Sequence, residues 1–69
     1  MRYVMIIETG KRNYSAYLPD LPGCVATGKT LEEVRQSMRE AIELHLAGMR
    51  EDGLPIPKPT SLAEYVEAA

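Results

Sequence analysis

One long apolar stripe does most to limit what this chain can fold into. Thr30 to Glu33 reads T-x-x-E, a capping box in which the threonine oxygen and the glutamate carboxylate satisfy N–H groups at a helix start. At about 100° per residue, Leu31, Val34, Met38, Ala41, Ile42, His45 and Met49 then gather on one side, and Glu32, Glu33, Gln36, Arg39, Glu40 and Glu43 lie away from it. Gly53 is placed to take the left-handed C-terminal cap, so the helix is expected to run to about Asp52. A helix with one apolar side must bury it against a second layer.

The residues before the helix supply that layer. Arg2 to Glu8, RYVMIIE, combines β-branched and aromatic residues over strand length. Tyr3, Met5 and Ile7 fall on one face and Val4 and Ile6 on the other, which predicts a strand covered on both sides. Gly10 and Asn13 mark a loop, and Tyr14 to Leu18 reads as a second strand paired with the first as a hairpin. Pro22 and Gly23 suit the central positions of a type II turn, and Cys24 to Thr27 is a short third strand. The order β, β, β, α predicts an α+β fold: a three-stranded antiparallel sheet with one long helix on a face.

Pro55, Pro57 and Pro59 predict an extended stretch over 54–60. Ser61 and Glu64 repeat the capping-box spacing, so 61–69 is expected to be a short helix or a tail. With a core over 2–53, residues 1–69 are read as a single domain. A domain this small buries only about 60% of the surface its unfolded chain exposes. The single cysteine excludes an internal disulfide, so self-association into a homodimer or tetramer is the expected source of added stability.

Charge and hydropathy exclude other classes. Eight basic and ten acidic residues give a net charge of −2 and are scattered rather than clustered, which argues against direct nucleic-acid binding. No charged leader precedes a long apolar run, and no stretch is long enough to span a membrane, so a cytoplasmic protein is expected.

Several residues invite a chemical reading. GCVATGKT, residues 23–30, satisfies the phosphate-loop pattern G-x-x-x-x-G-K-[ST]. The loop should follow an apolar strand, yet Gly23 follows PDLP, so Gly28 is read as a turn and Thr30 as a cap. Cys24 has only distant His45 as a base and is read as a small buried hydrophobe. His45 lies within the apolar stripe and is read as packing. The carboxylates do not converge as a divalent-metal site requires, so no metal, cofactor or catalytic residue is expected. Leu44 is a misfit, projecting away from the core stripe near Ser37 and Gly48. With Val4 and Ile6 on the outward face of the first strand, it is a candidate interface residue.

The stretch YSAYLPDLPGCVATGKTLEEV, residues 14–34, resembles the signature of the HicB-like antitoxin family. The parts that match are an aromatic strand, the turn Pro19, Asp20, Leu21, Pro22, Gly23 and Cys24, a short strand, and Gly28, Thr30 and Glu33 opening a helix. The likeness extends to Arg2–Ile7 and to GLPIPKPTSLAEY. It implies a partial RNase H-like or double-stranded-RNA-binding-like fold without the nuclease's carboxylates. It also implies a HicA-type toxin partner, a small basic mRNA-cleaving ribonuclease that the antitoxin occludes. Many members continue into a fourth strand and a DNA-binding domain. The sequence stops after SLAEYVEAA, so a short form without that domain is expected. Lys29 stands where the family is often acidic.

The turn and cap residues are read as architectural before functional. The expected function is thus a non-enzymatic antitoxin. A stand-alone homo-oligomeric or ligand-binding module without a toxin is the competing reading, and a minimal hydrolase or nucleotide-binding protein is the third.

Overall fold

A computed structural model describes residues 1–69 and has the expected order, with β1 at Ile6–Thr9, β2 at Tyr14–Tyr17, β3 at Val25–Gly28 and α1 at Leu31–Glu51. The sheet is antiparallel in the order β1-β2-β3, so β2 is central and both outer strands have a free edge. Ile7, Ala16 and Ala26 form one cross-strand row facing the helix. Ile6, Tyr17 and Val25 form the adjacent row on the opposite face.

The first strand is shorter at its start than the sequence suggests. Its partner β2 begins to turn away after Tyr17, which pairs with Ile6. Residues 1–5 therefore meet no strand and make no backbone–backbone hydrogen bond. Side-chain composition favours a strand there, but a ladder needs a partner of equal length.

The turns after β2 follow from two prolines and a glycine. Leu21 N–H donates to Leu18 C=O at 3.2 Å, and Cys24 N–H donates to Leu21 C=O at 3.1 Å, giving two tight turns in succession. Gly23 has φ +86°, the left-handed value that the third position of a type II turn requires. These turns push Leu18, Leu21 and Cys24 inward, where each is buried.

The helix begins as its cap predicts. Thr30 is extended, and its Oγ1 accepts from Glu33 N–H at 3.0 Å. The Glu33 carboxylate accepts in return from Lys29 N–H at 2.7 Å, one residue outside the cap. At the other end Asp52 caps, Gly53 adopts φ +68°, and Leu54 N–H donates to Met49 C=O.

The core is Ala16, Leu18, Leu21, Cys24, Ala26, Val34 and Met38. Small residues on β2 and β3 let the helix come close. Gly28 is the closest point, where an added Cβ would stand 2.6 Å from the Val34 nitrogen. The helix lies against β3 and, less extensively, β2, and does not reach β1. Beyond it, residues 55–69 have no regular secondary structure and no backbone–backbone hydrogen bond. The tail alternative of the sequence reading holds, and the capping-box spacing of Ser61 and Glu64 opens no helix.

Candidate partner-binding surfaces

Asp20 is the residue that organises the surface around β1. It occupies the first turn after β2, and one carboxylate oxygen accepts from Thr60 N–H and Ser61 N–H, each at 2.9 Å. The other oxygen accepts from Thr60 Oγ1 at 3.1 Å and Ser61 Oγ at 2.8 Å. These bonds, led by the Ser61 amide and hydroxyl, lower the Asp20 pKa to about 2. A second tie joins the Tyr3 hydroxyl to Pro57 C=O. Sequence alone gave Asp20 only a turn role, because its partners lie 40 and 41 residues away.

Held in this way, the C-terminal segment runs beside residues 1–7. Pro59, Ser61 and Leu62 share a cleft with Met1–Val4, and Ala63, Glu64 and Tyr65 share the next one with Met5–Ile7. The segment thus follows the same direction as residues 1–7. Leu62, Tyr65 and Val66 nonetheless point into solvent, 91%, 106% and 87% exposed.

On the other side of residues 3–5 lies a groove of about 220 Å³. It exists because α1 is offset toward β3. Tyr3 and Met5 form one wall, Met38 and Ile42 the other, and Arg35 and Arg39 the rim. No carboxylate lines it.

The outward sheet face is also open. Val25 is 64% exposed and Tyr17 40%, beside partly buried Ile6. Of the three candidate interface residues, Val4 and Ile6 line the clefts along the C-terminal segment. Leu44, 77% exposed on the outer side of α1, lines no cleft with them.

The remaining motif residues sit in other places. Gly23 and Gly28 stand at opposite ends of the β3 region, with Cys24 and Ala26 buried between them. Val25–Thr27 are therefore strand, not an amide-lined loop. The Thr30 hydroxyl and the Glu33 carboxylate already accept from the amides of Glu33 and Lys29 at this helix start. Arg12, Asn13, Lys29 and Glu33 share a polar cleft there. Burial pushes the Cys24 thiol pKa up, and its sulfur lies 3.8 Å from Met38 Sδ. His45 is half-buried beside Gly23. No group of three or more histidine, cysteine or acidic side chains is placed to hold a metal. No helix is long and apolar enough to cross a membrane.

Residues 3–69 match a family profile described as the HicB-like antitoxin of bacterial toxin-antitoxin systems. An uncharacterized 14.9 kDa protein from the rep-hol intergenic region of Haemophilus phage HP1 is 38% identical over 66 residues, covering 96% of this chain and 50% of the phage protein. The chain therefore spans half the length of that relative. A UPF0150 protein of Helicobacter pylori is 38% identical over 65 residues, covering 93% of this chain and 90% of its own length. Among solved structures, a HicA3 and HicB3 toxin-antitoxin complex aligns with a TM-score of 0.74 at 27% identity, over 86% of this chain and 70% of that one.

Proposed function

This chain belongs to the HicB-like antitoxin family, and on that premise we propose that it is the antitoxin partner of a HicA-type toxin, silencing it by covering its RNA-binding surface. The observation that carries this reading is the likeness to a HicA3 and HicB3 complex across most of the chain. On this reading residues 1–69 act as one HicB-like domain, in the cytoplasm, with no reaction and no cofactor of their own. A domain of net charge −2 suits a basic partner, because complementary charge steers encounter and fixes register.

Steric masking needs exposed surface more than it needs chemistry, and this fold has that to spare. The outward row Ile6, Tyr17 and Val25 is apolar and open, and α1 carries Glu40, Glu43, Leu44 and Glu51 on its outer side. The sheet row offers an apolar anchor, and the α1 surface combines an apolar anchor with charge, as protein interfaces do. On this reading the turn and cap residues Pro19, Leu21, Pro22, Gly23, Cys24, Gly28, Thr30 and Glu33 are architectural, and of these Leu21 and Cys24 are buried.

The test is co-expression with a HicA-type toxin, a small basic protein sought first among the genes adjoining this one. Growth arrest by that protein alone, relieved by this chain and accompanied by a stoichiometric complex, is the expected result. An arrest that this chain does not relieve, with no complex recovered, overturns the reading. Recovery of this chain only as a homo-oligomer would favour the stand-alone module.

A further inference from the structure

We propose that the groove between α1 and residues 3–5 receives the C-terminal segment Leu62–Glu67 of a second copy, exchanged reciprocally to form a two-fold dimer. Groove and segment are complementary in both apolar and charged character. The groove offers Met5, Met38 and Ile42 below a rim of Arg35 and Arg39. The segment LAEYVE offers an entirely exposed tyrosine between two carboxylates, Glu64 and Glu67. Tyr65 enters the groove beside the guanidiniums, where an aromatic face attracts a cation. Glu64 and Glu67 then meet Arg35 and Arg39, for which the groove itself supplies no counter-charge.

The occupant comes from a second copy because the chain's own segment is held on the wrong side. Tyr3 lines both the groove and the cleft with Pro59 and Leu62, and Met5 lines both the groove and the cleft with Ala63 and Tyr65. Residues 3–5 are thus the wall between them. The Asp20 ties to Thr60 and Ser61 fix the segment beyond that wall, so its apolar side chains project outward instead of folding back. A projecting segment and an open groove on the same chain are what reciprocal exchange between two copies satisfies at low cost. This dimer is independent of any toxin.

Charge reversal tests it. Light scattering on the full chain is expected to give twice 7.7 kDa. Chains carrying Arg35→Glu with Arg39→Glu, or Glu64→Lys with Glu67→Lys, are each expected to weaken the dimer about ten-fold or more. An equimolar mixture of the two is expected to restore it, because each segment then meets a groove of opposite charge on the other chain. All four positions are exposed, so the fold survives these changes. Tyr65→Ser, which alters no charge, is expected to weaken association by a similar factor. A wild-type monomer at all concentrations, a dimer indifferent to both reversals, or a mixture that stays monomeric would each overturn the proposal.

Discussion

Ser61 donates both its amide and its hydroxyl to Asp20, at 2.9 and 2.8 Å, and so a turn after β2 anchors a segment beyond the helix. The four bonds that Asp20 accepts from Thr60 and Ser61 require its ionised form, which holds its pKa near 2 against an ordinary 3.8. A depressed pKa contributes stability that is complete above the ordinary value and is lost as pH falls through the folded one. The C-terminal segment is therefore expected to release between about pH 4 and pH 2, followed through the amide resonances of Thr60 and Ser61. Asp20→Asn keeps one acceptor oxygen of two. It is expected to speed amide exchange at both residues several-fold at neutral pH and to flatten the acid transition. Unchanged exchange in that variant would mean the tie does not hold the segment.

Gly28 and Gly48 are expected to respond to alanine with opposite signs. A Cβ at Gly28 meets the Val34 nitrogen at 2.6 Å and the Glu33 Cβ at 2.9 Å, so β3 and α1 must part. Overpacking of this kind costs about 1–3 kcal/mol. A Cβ at Gly48 meets nothing within 4 Å inside α1. Alanine there is expected to add about 0.5–1 kcal/mol through helix propensity. Thermal denaturation decides it, since each 1 kcal/mol moves the midpoint by about 4–8 °C in a domain of this size.

Local signals and tertiary placement divide what the sequence discloses. The Pro22–Gly23 turn, the Thr30 cap and the Gly53 stop are each written within a few residues. Val34, Met38, Ala41, Ile42 and Met49 of the apolar stripe face the core, whereas Leu31 is exposed and Leu46, outside the stripe, packs inward. The start of β1 is not written locally, because Tyr3–Met5 look like strand but depend on the length of β2 for a partner. Ser61 and Glu64 have capping-box spacing, yet both the amide and the hydroxyl of Ser61 are taken by Asp20. The groove beside Met38 arises from the lateral offset of α1, a quantity no periodicity encodes. Family resemblance carried the functional reading further than any motif.

Removing the helix cap gives a measure of how far α1 depends on its first turn. Thr30→Ala leaves Glu33 N–H without its acceptor and is expected to cost about 1 kcal/mol. Glu33→Gln retains an acceptor for Lys29 N–H but removes the charge, and is expected to cost less. Urea denaturation followed by circular dichroism orders the two. A larger loss for Glu33→Gln would show that the carboxylate, and not the hydroxyl, starts the helix.

Cys24 is expected to behave as a core residue whose chemistry is silenced by packing. Only 2% exposed, it lies against Met38 at the end of the turn just before β3, and burial favours its neutral thiol over the thiolate that reagents attack. A disulfide reagent at pH 8 is therefore expected to leave the folded chain unmodified and to take up one equivalent when guanidinium is added. Because the thiol pKa is raised, the thiol's contribution to stability is complete below its ordinary 9.0 and declines as pH rises above that value. Cys24→Ser keeps the volume but buries a hydroxyl in place of a weakly polar thiol. It is expected to destabilise the fold by about 1–3 kcal/mol unless the hydroxyl finds an acceptor. Rapid labelling of the native chain would instead mean that the turn Leu21–Cys24 opens readily, and that the buried end of β3 is the least stable part of the core.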